Sequence, residues 1–261
     1  MEISYKDIYY NNKYTTIIKE NEINGIIGNN IELIKSILLI NNNFDIIKVD
    51  KKIVNEKTKK DIKKRISIIK KRIDMKDYYL SVYELLLREI KINKIELKNP
   101  NKKIIDSLKI VGLSTSLIDR KINTLSASEK KLLLLALGLL SNPECIIIED
   151  ALDSLDMKNE KKLYLLMQKI KDQYNKTIVI ISNNSNTIYQ YSTHLVIFKN
   201  NKIVVEGKTD EIMKQVELLK ENLIEIPDIV DFTYKAINNK KIKIDYHKDV
   251  RDIIKDIYKH V

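Results

Sequence analysis

The 261-residue chain has no tryptophan and a single cysteine, Cys145. One cysteine excludes an intrachain disulfide framework, so the fold rests on its apolar core, and a reducing cytosol is the expected setting. No apolar run approaches the roughly 18–20 residues that a membrane span needs. The opening MEISYKDIYY lacks signal-peptide character, and no internal repeat is found. These absences leave a soluble protein, free to dock on a membrane partner.

What is present is apolar content of 44%, ample for a core, and a formal charge of +11. The length suits one elaborated α/β domain, or one domain with a small appendage. The charge invites a nucleic-acid reading. Heavy use of Ile, Asn and Lys without Trp is also what AT-rich coding produces, and lysines spread over solvated faces explain most of it. The exception is 57–72, with nine Lys or Arg against the lone Asp61. That run suits phosphate, anionic lipid or an acidic partner, and the sequence does not choose between them.

Met1 to Tyr10 alternates and is expected as an edge strand. The stretch Glu22 to Gly28 reads as a short strand ending in glycine, with 29–39 following it. Asp45 to Val54 reads as a β ribbon, and Arg65 to Ile69 as a strand. Tyr78 to Lys91 is helical by period, with Leu80, Tyr83, Leu87 and Ile90 on one face and Leu85 and Leu86 widening it. Asn99-Pro100-Asn101 is a loop, and Ile104 to Val111 a helix closed by Gly112. Ser126 stands at a helix N-cap, and Glu129 three residues later gives capping-box spacing. Asn142-Pro143 ends that helix. Cys145 to Ile148 is too apolar for a one-faced strand and reads as a central parallel one, closed by Glu149 and Asp150 where open α/β sheets bind ligands. Lys176 to Ser182 is a further buried strand. His194 is read as structural. Leu195 to Phe198 and Lys202 to Val205 form a hairpin about Asn200-Asn201. Thr209 is expected to cap the next helix, and 250–258 is an amphipathic helix.

The order of these elements resembles the ATP-binding cassette ATPases. LSASE (Leu125, Ser126, Ala127, Ser128, Glu129) stands at the place of the signature LSGGQ, IIIED at the Walker B strand, and Ser154-Leu155-Asp156 at the D-loop. The resemblance implies an α/β fold: a mostly parallel sheet of the P-loop NTPase kind, an N-terminal β subdomain and a helical signature subdomain over about 73–141. It divides the chain into 1–205, the ATPase-like domain, and 206–261, a mainly helical extension for dimerisation. That extension, around Leu223 and Pro227, looks like the one in energy-coupling factor (cobalt and vitamin uptake) ATPase subunits.

The family's site residues carry over with departures. Tyr10 falls at the adenine-stacking aromatic. Gly28 falls on the first phosphate-loop glycine, but Ile31, Leu33 and Ile34 then occupy positions for glycine, glycine and lysine. Lys35-Ser36 resembles the Lys-Ser pair displaced by one residue, about 100° of helix rotation. Lys71 replaces the glutamine of the Q-loop, and lysine cannot accept a hydrogen bond from water or ligate Mg²⁺. The signature loses both glycines, to Ala127 and Ser128, and gains the charge of Glu129. The Walker B pair is inverted, Glu149 then Asp150, misplacing a base by about a methylene. Asn183 stands at the switch histidine and cannot carry a proton at neutral pH. No metal ligand set is assigned.

These departures imply a pseudo-ATPase whose Mg-ATP binding is weakened or absent. The expectation is a catalytically degenerate half of an ATPase heterodimer within an energy-coupling factor importer, peripheral on the cytoplasmic face of the membrane. Its partners would be a second ATPase subunit, to which Ser126 and Asp156 contribute, and a transmembrane protein docking near Tyr78, Tyr79 and Tyr83. The alternatives are a slow working ATPase using Lys35 and Asp150, and a basic scaffold or nucleic-acid-binding protein on a retired fold.

Overall fold

The computed structural model describes residues 1–6, 14–28, 47–69, 72–149, 157–200, 202–240 and 244–259. Ten strands and ten α-helices are placed among them. Five parallel strands and one antiparallel edge strand form the larger sheet, in the order β10-β9-β3-β8-β7-β6. They are β3 (Ile23–Gly28), β6 (Ile66–Ile69), β7 (Cys145–Glu149), β8 (Thr177–Ile181), β9 (His194–Lys199) and β10 (Lys202–Lys208).

Strands β3, β8 and β7 are buried on both faces because their side chains alternate between two separate cores. Ile146, Ile148, Ile178 and Ile180 point into a core shared with helices. Their neighbours Cys145, Ile147, Val179 and Ile181 point into a second core shared with a four-stranded antiparallel sheet. That smaller sheet, β2-β1-β4-β5, is built from β1 (Ile3–Lys6), β2 (Tyr14–Ile18), β4 (Ile47–Val49) and β5 (Lys52–Ile53). The expectation of an edge strand at the N-terminus is therefore corrected. β1 pairs with β2 on one side and β4 on the other, and Ile3 and Tyr5 are buried.

The first part of the basic run, 57–64, lies in helix α1 (Glu56–Lys64), which rests on Ile62 and leaves Lys57, Lys60, Lys63 and Lys64 exposed. Residues 66–69 belong to β6, and Lys70 and Lys71 lie outside the described residues. Arg65 follows the helix and ties the layers together, reaching Glu144 Oε2 and Asp50 Oδ2 at 2.5 Å each. Helix α2 (Val82–Ile92) starts later than its period implies, because Ser81 caps it. Ser81 Oγ accepts from Glu84 N at 3.1 Å, while Glu84 Oε2 accepts from Ser81 N at 2.7 Å. Its buried stripe is Val82, Leu85, Leu86 and Ile90, whereas Tyr83 and Leu87 are only partly covered.

Helix α3 (Pro100–Ile110) begins a turn earlier than expected, with Asn99 as cap and Pro100 at the first helical position. It ends in a Schellman motif: Gly112 takes φ +72°, and Leu113 N donates to Leu108 O at 3.0 Å. Helix α4 (Ala127–Leu139) lies on the large sheet, and α5 (Met157–Tyr174) and α6 (Ser185–Tyr191) lead to and from β8.

After β10 come α7 (Thr209–Ile212), α8 (Val216–Glu221), α9 (Asp228–Lys240) and α10 (Val250–Lys259). Thr209 is not the cap of α7; it is the first helical residue, and its hydroxyl is paired with Ser192 Oγ at 2.9 Å. Val216, Leu219 and Val230 join the helical core, while Ala236, Ile244 and Ile253 form a small core of their own.

Candidate functional site

Because β3, β8 and β7 run parallel, their C-terminal ends lie together. Ile181 of β8 is in register with Ile26 of β3 and with Glu149 of β7. Glu149 thus sits two strands from β3, roughly 10 Å at ordinary strand spacing. Gly28 and Asn183 each lie two residues beyond that level. The crevice outside the strand ends is where an open α/β sheet takes its ligand.

Gly28 is fixed by the sheet itself. Its φ is +143°, and a Cβ there would lie 1.9 Å from the carbonyl oxygen of Phe198 on β9. A side chain has no room, whatever the loop beyond binds. Asn183, where the resemblance places a switch histidine, is exposed and reaches toward the adjacent strand β3. Its Oδ1 accepts from Gly28 N at 3.4 Å. The next residues build a tight exit from β8: Ser182 N donates to Ile26 O at 3.2 Å, Asn184 N to Ser182 Oγ at 3.1 Å, and Asn184 caps α6.

At the expected signature position, the capping box forms as the spacing of Ser126 and Glu129 predicts. Leu125 is buried and anchors it, while Ser126 and Ala127 are exposed and Ser128 and Glu129 half-buried. Ser126 Oγ accepts from Glu129 N at 3.2 Å, and Glu129 Oε2 accepts from Ser126 N at 2.7 Å. Those bonds from Ser126 hold the Glu129 carboxyl below the usual carboxylate range. The turn therefore presents an ionised carboxylate at the helix N-terminus, where an incoming anion would meet repulsion as well as the helix dipole.

As a fit to Mg-ATP, the described residues supply a strand-end carboxylate, Glu149, but few open donors. The N–H of Gly28 is taken by Asn183, and that of Ser126 by Glu129. Asp150, Tyr10, Lys35, Ser36, Lys71 and Asp156 lie outside the described residues. Of the remaining expected positions, Gly28, Glu149 and Asn183 are brought to one end of the sheet, and Leu125 to Glu129 stand apart on α4.

His194 is structural, as its sequence context suggests. It is buried at the start of β9, with Nδ1 3.1 Å from Asn24 Oδ1 and Nε2 2.7 Å from Glu206 Oε2. Burial pushes its pKa below the usual histidine value, against the opposing pull of Glu206. Asn24 is the hub of this network and was not singled out by sequence; the one signal is a fully buried polar residue within an apolar strand.

No family model matches the chain. It is similar to the energy-coupling factor transporter ATP-binding protein EcfA2 of Mycoplasma mobile, 24% identical over 224 residues, covering 82% of this chain and 70% of that one. It is also similar to EcfA2 of Enterococcus faecalis, 24% identical over 142 residues, and to EcfA of Malacoplasma penetrans, 25% identical over 156. The matches span 48% and 54% of those two relatives, about half their length. Among solved structures, CbiO1 of Clostridium perfringens, part of the ABC transporter complex CbiONQ, superposes with a TM-score of 0.68 at 20% identity, covering 89% of this chain and 98% of that one. A post-hydrolysis dimer of an ATP-binding cassette bound to ADP and Pi gives 0.60 at 18% identity, covering 79% and 98%. The fold is that of an ATP-binding cassette ATPase.

Proposed function

From an ATP-binding cassette fold, and a sequence resembling energy-coupling factor ATP-binding proteins, we propose that this chain is the ATP-binding-cassette subunit of an energy-coupling factor type importer. It is a catalytically degenerate half of an ATPase heterodimer, held peripherally on the cytoplasmic face by a transmembrane coupling protein. Within 206–261, the helices beyond β10 serve the pairing of the two ATPase subunits.

The observation that supports degeneracy is the contact between Asn183 and Gly28. Where the family places a histidine, this side chain is an amide that cannot take up a proton, and its oxygen is directed at the sheet's own backbone. The Glu129 carboxylate adds a repulsive element at the signature turn. The chain's contribution is then structural. It offers a signature turn and, through Asp156, a D-loop to the site whose phosphate loop belongs to the partner. Of the residues expected at the transmembrane partner, Tyr79 is exposed and Tyr78 and Tyr83 are half-buried. A cavity of about 770 Å³ between β6, α2 and α4, which they do not line, offers that protein a further place to dock.

Calorimetric titration with Mg-ATP, on this chain alone and then mixed with an ATPase subunit that keeps an intact phosphate loop, tests the reading. Weak or no binding and no phosphate release are expected from the chain alone, with both appearing in the mixture. Metal-dependent phosphate release by the chain alone, abolished by Asp150→Asn, would make it a working ATPase instead.

A further inference from the structure

A second concavity lies away from the strand ends, between the end of α3, the first turns of α4 and the middle of α5. It encloses about 420 Å³, within the range of ordinary ligand and side-chain pockets. Its floor is apolar, formed by Val111, Leu132, Leu163 and Leu166, and Leu165 is 57% exposed beside it. Among the described residues, every charged side chain lining it is a lysine: Lys109, Lys131, Lys162 and Lys169.

A lysine-rich composition does not by itself produce such a rim. The larger cavity beside β6 draws on the same composition, yet sets Lys63, Lys64 and Arg72 alongside Asp74, Glu89 and Glu96. Among the described residues, Lys109, Lys162 and Lys169 make no ion pair. Lys162 and Lys169 are seven residues apart on one helix, about two turns or roughly 10 Å, with Leu165 and Leu166 between them. Cations therefore stand at both ends of an apolar floor.

We propose that this groove docks an acidic amphipathic helix of a partner protein, with carboxylates two turns apart flanking leucine-like side chains. Charge complementarity selects the sign of the partner, and the two-ended spacing selects its form. An acyl chain with one anionic head would satisfy one end only, and a bilayer surface is too flat to enter a concavity. The groove lies away from the strand ends, though Ser128 of the expected signature turn is on its lining. Binding is therefore measured on the chain alone, without an ATPase partner, so that the outcome does not depend on the transport reading.

The probe is a fluorescent helix-forming peptide of about four turns, carrying glutamates at i and i+7 around leucines, with anisotropy read against the full chain. Saturable one-to-one binding is expected, weakened at least about tenfold by K162E/K169E or by about 0.5 M salt. A peptide with lysines in place of the glutamates should prefer the K162E/K169E chain. Circular dichroism establishes that this doubly substituted chain is folded, and Lys109→Glu gives an independent variant at the same rim. No saturation up to about 1 mM, or affinities indifferent to these reversals, would overturn the proposal. So would lysine-dependent binding to phosphatidylglycerol vesicles without binding to the peptide.

Discussion

Asn183 Oδ1 and the backbone N–H of Gly28 meet at 3.4 Å, across the 155 residues of chain that separate them. The two partners are fixed to very different degrees. Gly28 is confined by Phe198 of β9, whereas Asn183 is exposed at the mouth of β8.

Asn183→Ala should therefore cost only about 1 kcal/mol, since the bond is long and its acceptor side chain is exposed. Gly28→Ala should cost about 3 kcal/mol or more, because its Cβ would overlap a backbone oxygen and demand strained φ. Urea denaturation followed by circular dichroism separates the two; equal costs would contradict this account of the contact.

His194 gives stability a pH dependence of definite sign. Burial lowers its folded pKa, so the unfolded chain, near the usual 6.5, takes up its proton first. The contribution is complete above about pH 6.5 and is lost as pH falls from there toward the folded pKa. Urea midpoints should decline over that interval, and His194→Gln should flatten this part of the decline.

Cys145 reports on global opening. It is fully buried on β7, and burial pushes its thiol up to about 12. At pH 8 the thiolate fraction is on the order of 10⁻⁴, and the sulfur is shielded as well. A disulfide reagent should label the native chain very slowly, with the rate rising in urea in parallel with loss of circular dichroism. Rapid labelling of native protein would show that β7 opens locally.

Leu223 adopts φ +58° at the end of α8 with 87% of its side chain exposed. Left-handed geometry costs a residue bearing Cβ about 1–2 kcal/mol, and little burial compensates here. Leu223→Gly should raise stability by about 1 kcal/mol at unchanged urea m-value, after allowing for the entropy of glycine in the unfolded chain.

The elements legible in the sequence are those whose cause is local. Continuous apolar runs marked β7 and β8 because burial on both faces leaves no polar side. The spacing of Ser126 and Glu129 marked the start of α4 because a capping box closes within four residues. The same signal, Ser81 with Glu84, fixes the start of α2, where a stripe through Tyr83 and Leu87 misleads. What was not legible depends on distant partners. β1 is internal to its sheet because β4 arrives some forty residues later. Thr209 turns to Ser192 instead of capping its own helix, and Gly28 meets Asn183 only when β3 and β8 lie side by side. Within the site, the end of β7 could be read from Glu149 alone, while the acceptor on Gly28 could not.

The outermost parallel strand has a consequence for handling the protein. Among the described residues no strand pairs with the free side of β6, and Ile68 on it is 42% exposed. Such a margin is a template for adventitious strand addition by neighbouring molecules. The ammonium groups of Lys63 and Lys64 guard it by mutual repulsion, a protection that high ionic strength removes. Concentrated stocks should consequently keep best in dilute salt, and turbidity should rise first in brine.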